Sequence, residues 1–100
     1  MKLRIQENTL RIRVNEKEVG MLANGATLSN ETTFPENSLR FTLLVSDGQA
    51  VSLSKTEVKI TLNRMEVKTW ALSSEVSIAM VFEVSNDKKL SILVEKDMKV

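Results

Sequence analysis

Apolar residues recur at every second position over most of this chain, with polar or charged residues in the gaps. Leu3 and Ile5, then Leu10, Ile12 and Val14, follow this period of two, the pattern of a strand with one buried face. Glu7-Asn8 separates the two runs and predicts a tight hairpin, with Asn8 suited to a positive φ. A two-residue loop sets Leu3 opposite Ile12 and Ile5 opposite Leu10 on the buried side. Asn15 then predicts a helix cap with Glu18 placed to close a capping box. Val19, Leu22 and Ala23 form one apolar stripe before Asn24-Gly25 ends the helix. So short a helix is unstable alone and must lie on a sheet. Leu28 to Phe34 reads as a Thr-rich strand near an edge. Pro35-Glu36-Asn37-Ser38 reads as a turn, and Leu39, Phe41, Leu43 and Val45 as a core strand that Asp47-Gly48 ends.

The plan then repeats. Val51 and Leu53 take the place of Leu3 and Ile5, Lys55-Thr56 the hairpin tip, and Val58, Ile60 and Leu62 the next strand. Asn63 caps a second helix bearing Glu66, Val67, Trp70 and Ala71, with Ser73-Ser74 as its breaker. Val76, Ile78, Met80, Phe82 and Val84 alternate most clearly of all; Asn86-Asp87-Lys88-Lys89 turns, and Leu90, Ile92 and Val94 return. At a constant offset of 48 residues Ile12/Ile60, Asn15/Asn63, Glu18/Glu66, Val19/Val67 and Ala23/Ala71 are identical, and Phe34 falls on Phe82. Shared apolar periodicity alone could arise by coincidence. The coincident cap, helix glutamate and hairpin spacing favour a tandem ββαββ duplication, with halves of roughly 1–48 and 49–100. The expected fold is a β-rich α+β single domain spanning 1–100. About eight short strands form a double sheet or a closed barrel, with two short helices over open faces or ends.

Five segments stand in order along the chain: Met1-Lys2-Leu3-Arg4-Ile5 with Asn8, Leu10-Arg11-Ile12-Arg13, Glu31-Thr32-Thr33-Phe34-Pro35, Trp70-Ala71, and Leu90-Ser91-Ile92-Leu93-Val94-Glu95-Lys96-Asp97. Together they resemble a family of small uncharacterised bacterial proteins, a domain of unknown function. The resemblance implies a compact bacterial domain and carries no activity, ligand or site residue.

Composition narrows the chemistry. There is no Cys, His or Tyr, which removes disulfides, thiol nucleophiles, imidazole bases and the usual ligands of Zn, Cu and haem. Ser73-Ser74 therefore has no conventional base, and no catalytic residue, metal site or cofactor is assigned. Fourteen basic against thirteen acidic residues leave a net charge of +1, so no global field favours nucleic acid. The chain has neither a signal-peptide run nor an apolar stretch of membrane-spanning length, and a cytoplasmic protein is expected. Glu95 and Asp97, at alternate positions, could be read as a Mg²⁺ pair, but a charged strand end is the commoner meaning.

Two groups of residues remain as candidates. Lys2, Arg4, Arg11 and Arg13 share the polar face of the first hairpin, with Arg4 opposite Arg11 and Lys2 opposite Arg13. Like charges across a strand pair repel, so a counter-charge is required: an anionic ligand, an acidic partner, or Glu31, Glu83, Glu95 or Asp97 from neighbouring strands. The matching face of the second hairpin carries Ser52, Ser54, Glu57, Lys59 and Thr61 instead. Leu44, Ala79, Val81 and Leu93 fall between core positions. Packed helices would cover them; otherwise they form an interface, with a homodimer as one form. The leading functional expectation is a non-enzymatic module that binds an anion or a protein partner; the alternative is a structural self-associating protein, and a carboxylate- or metal-dependent enzyme is the less favoured third class.

Overall fold

The computed structural model describes residues 1–97. The elements are β1 (Lys2–Gln6), β2 (Thr9–Val14), α1 (Glu16–Ala23), β3 (Leu28–Thr33), β4 (Ser38–Ser46), β5 (Ala50–Leu53), β6 (Glu57–Asn63), α2 (Arg64–Leu72), β7 (Ser77–Ser85) and β8 (Lys88–Lys96). The strands form two four-stranded sheets, ordered β1-β2-β8-β7 and β3-β4-β6-β5, rather than a closed barrel. Each half of the chain gives one hairpin to each sheet. Exchanging the halves turns β1-β2-β8-β7 into β5-β6-β4-β3, the order of the other sheet. The hairpins are antiparallel, whereas the central pairs β2–β8 and β4–β6 are parallel.

Register follows the offset of 48 in the first hairpin of each half. Leu3 pairs with Ile12 and Ile5 with Leu10, just as Val51 pairs with Ile60 and Leu53 with Val58. It does not extend to the later hairpins: Leu28 lies beside Leu43 and Ile78 beside Val94. Phe82 therefore corresponds in register to Thr32, and Phe34 lies beyond the end of β3, half exposed. Ile78 follows Ala71 by two more positions than Leu28 follows Ala23, partly because α2 is one residue longer than α1, and this breaks the offset.

The helix signals translate into local bonds. The Asn15 side chain accepts from the Glu18 backbone N–H at 2.8 Å, and Glu18 Oε1 accepts from the Asn15 N–H at 2.9 Å, completing the capping box. Gly25 sits at φ +83°, Ala26 N–H reaches the Met21 carbonyl and Gly25 N–H the Leu22 carbonyl, the reciprocal bonds of a Schellman ending. In α2 the Asn63 side chain accepts from Glu66 N–H at 3.0 Å, but the Glu66 carboxylate accepts from Gln49 Nε2 at 2.7 Å instead of closing a box. At the first hairpin Glu7, not Asn8, adopts the positive φ of 50°. Asn8 instead binds the neighbouring strand: its Nδ2 donates to the Lys89 carbonyl at 3.1 Å, and its carbonyl accepts from Ser91 N–H at 3.0 Å.

One hydrophobic cluster joins both sheets and both helices. Ile12, Val14, Leu43, Ile60, Leu62, Ile92 and Val94 have no accessible surface, and Val19, Leu22, Val67 and Trp70 are buried among them. Trp70 is the anchor of α2, as a large aromatic on the apolar stripe predicts; its Nε1 donates to the Val76 carbonyl at 3.0 Å. The Lys96 ammonium lies 5.7 Å from the Trp70 ring centroid and donates to the Ser73 carbonyl.

The helices follow directly on β2 and β6, at the end of the sheets opposite the four hairpin turns. Burial falls toward the turns. Ile5, Leu53 and Val84, expected in the core by alternation, are 61%, 78% and 57% exposed, and Leu39 is partly exposed. Val76, where the chain leaves α2, is also partly exposed. Alternation reports which face a residue lies on; it does not report whether the opposite sheet reaches that far.

Trp70 supports the core and Leu72 of the same helix is 88% exposed. Trp70→Ala should lower the unfolding free energy by about 3–5 kcal/mol, and Leu72→Ala should change it by less than about 0.5 kcal/mol, read by chemical denaturation. Glu18 gives a pH-dependent contribution. Partial burial pushes its carboxyl up, but the hydrogen bond from the Met1 ammonium, the Asn15 N–H and the ammonium charge outweigh that and hold it below its ordinary value. A carboxyl lowered by folding stabilises above its unfolded pKa and loses that contribution as pH falls through the folded one. Wild type should melt above Glu18→Gln near neutral pH, and the difference should shrink as pH drops below about 4.3, read as Tm against pH.

Candidate functional site

The outer face of the sheet built from β1, β2, β8 and β7 carries the predicted cations. Pairing places its outward residues in rows: Lys2, Arg13, Glu95 and Ser77; then Arg4, Arg11, Leu93 and Ala79; then Gln6, Thr9, Ser91 and Val81. Lys2 opposite Arg13 and Arg4 opposite Arg11 is the expected register. The four cations, with Leu3, line a shallow groove of about 170 Å³.

The counter-charges are unequally shared. Glu95 lies beside Arg13 in the strand pairing, yet its carboxylate reaches diagonally to Arg11, with Oε1 3.0 Å from Nε and 2.9 Å from Nη2. Lys2 Nζ lies 3.8 Å from Asp97 Oδ2, a longer and more exposed contact. Among the described residues no carboxylate pairs with Arg4 or Arg13. The other two expected counter-charges are elsewhere: Glu31 binds Arg40 at 3.0 Å in the second sheet, and Glu83 stands beside Lys89. Glu95 and Asp97 thus face cations of the hairpin, and the described residues contain no cluster of three or more side chains suited to a metal.

The corresponding row in the second sheet reads Ser52, Lys59, Thr42 and Ser29. There Thr42 and Ser29 are satisfied by their neighbours. Buried Thr42 donates to Glu57 Oε2 at 2.6 Å and lies 3.3 Å from the Ser29 hydroxyl, while Glu31 and Arg40 form their pair beside it. A reading of single strands misses the buried Thr42, because three strands must align before Ser29 and Glu57 flank it.

The interface candidates separate. Ala79, Val81 and Leu93 are adjacent on the outer face of the first sheet, and Leu44 lies on the outer face of the second. The helices cover the end of the sheets rather than these faces, and Val81 is 60% exposed.

A family model described as a family of unknown function (DUF7009) matches residues 1–100. The chain belongs to this family. Comparison with curated proteins and with solved structures returns no match. No helix among the described residues is long and apolar enough to cross a membrane.

The ion pair between Arg11 and Glu95 is partly buried, with Glu95 18% exposed at its side chain. Glu95→Gln should destabilise the fold by less than about 1 kcal/mol at low salt, because among the described residues it leaves the four cations of the groove with Asp97 as their one paired carboxylate. Added salt should recover part of the loss by screening the repulsion, measured as Tm against ionic strength.

Proposed function

We propose that this chain is a non-enzymatic cytoplasmic binding module, and that Arg4 and Arg13 receive an anionic phosphate or carboxylate group carried by a small ligand or an acidic partner. The observation that supports this reading is the uneven compensation of the four cations. Arg11 is held by Glu95 and Lys2 faces Asp97, while Arg4 and Arg13 stand on the same groove with no carboxylate partner among the described residues. Guanidinium groups suit this role: each offers planar paired donors that match a carboxylate or phosphate edge. The pair held by Glu95 also fixes Arg11 between the two open arginines and sets the spacing of positive charge in the groove.

The matched register of the first hairpin in each half supports reading the halves as copies of one ββαββ unit. On that reading the basic face is a departure of the first copy, since Ala50, Ser52 and Thr61 occupy the positions of Lys2, Arg4 and Arg13. The backbone does not require it, and like charges facing one another cost stability unless something compensates.

Thermal-shift titration with inorganic pyrophosphate, a small dicarboxylate and a glutamate-rich peptide, at low and moderate salt, tests the proposal. At least one probe should raise Tm in wild type, less so at higher salt. The shift should disappear in the Arg4→Glu, Arg13→Glu double variant, whose unliganded Tm should stay close to wild type because both side chains are exposed. A shift of unchanged size in the double variant would sink the assignment.

A further inference from the structure

We propose that β7 is the contact through which two copies of this chain join, edge to edge, into a dimer with one continuous eight-stranded sheet. The argument starts from the four sheet edges, β1, β7, β3 and β5. An edge strand presents unpaired N–H and C=O groups, and proteins ordinarily blunt it with charge, brevity or cover. Three edges here are blunted. β1 carries Lys2 and Arg4, and its start is covered by the Asn30 amide, which donates to the Met1 carbonyl at 2.8 Å. β3 is polar after Leu28 and includes Glu31; β5 has only four residues.

β7 differs. It has nine residues, Ser77 to Ser85, with Glu83 as its one charge, and is rich in the apolar types that favour strands. Its bulge lies between Glu83 and Ser85, which leaves Ser77 to Glu83 in regular register. Lys96 N–H donates to the Val76 carbonyl, so even-numbered residues from Val76 onward bond toward β8. Ser77, Ala79, Val81 and Glu83 consequently point their backbone groups outward from the sheet.

That edge is complementary to itself. Antiparallel pairing about a two-fold axis at Met80 sets Ala79 against Val81, Ile78 against Phe82 and Ser77 against Glu83 of the second copy. The outward backbone groups meet in alternate pairs, giving about eight hydrogen bonds. Apolar side chains then meet apolar ones on both faces, and no like charges are opposed. The same axis brings the exposed Val81 and its neighbours Ala79 and Leu93 from both copies into one central stripe, with the basic hairpins at the two far ends. An isologous contact of this kind closes on itself and leaves β1 and β1 of the second copy as the ends.

Proline at position 79 separates this contact from the alternatives. The Ala79 N–H faces outward, so Ala79→Pro removes no bond to β8 but deletes a donor at the dimer edge. Light scattering and sedimentation of wild type over a wide concentration range should show a monomer–dimer equilibrium. Ala79→Pro, and Val81→Lys as a second variant at an exposed position, should weaken it at least tenfold while circular dichroism shows a folded protein. Amide exchange at Ala79, Val81 and Glu83 should slow as wild-type concentration rises. A wild type that stays monomeric throughout overturns the proposal. So does a dimer that survives both variants but is lost in Leu93→Lys, which would indicate face stacking instead.

Discussion

The central strands of both sheets, β2 with β8 and β4 with β6, run parallel, and parallel neighbours cannot be joined by a tight turn. Here the constraint is met by taking one strand of each pair from each half of the chain. Neither half therefore contains a complete sheet. Ile12 and Val94, or Leu43 and Ile60, lose all solvent contact only when the first and second halves are both in place. The helices serve this arrangement. Each begins where a central strand ends, carries the chain from one sheet to the other, and buries Val19 and Leu22 or Val67 and Trp70 in the common core.

This construction gives the molecule distinct ends and faces. The end with the helices is closed by Trp70, bonded to Val76 and lying beneath Lys96. The end with the hairpin turns is open, and inner-face residues there retain much of their solvent exposure. The outer faces differ chemically although their strand orders match. One has a closed polar set around Thr42, and the other has cations on β1 and β2 beside apolar residues on β8 and β7. Shared topology sets where side chains stand, and local substitution decides what each face can bind.

Legibility followed sequence distance. The Lys2–Arg13 and Arg4–Arg11 pairs were readable because a two-residue loop sets their register within a dozen residues. The capping residues Asn15 and Asn63 were readable for the same reason, since each bonds a backbone group three positions away. The diagonal bond of Glu95 to Arg11 was one of several options until β8 was placed beside β2, across 84 residues of sequence. Asn8 departs from the role its position in the turn suggests, because its side chain and carbonyl serve β8 rather than its own turn.

By itself, then, the sequence determined the element types and order, the caps, the inward faces of the strands and the basic face of the first hairpin. All are governed by spacing of two or about 3.6 residues and by bonds between near neighbours. Only the tertiary structure decided that each half divides its hairpins between two sheets and that the barrel stays open. It also placed Ile5 and Leu53 beyond the reach of the opposite sheet, left Arg4 and Arg13 without a carboxylate among the described residues, and put β7 at an edge. These depend on which strands meet across long separations, and a period of two is the same for every possible neighbour.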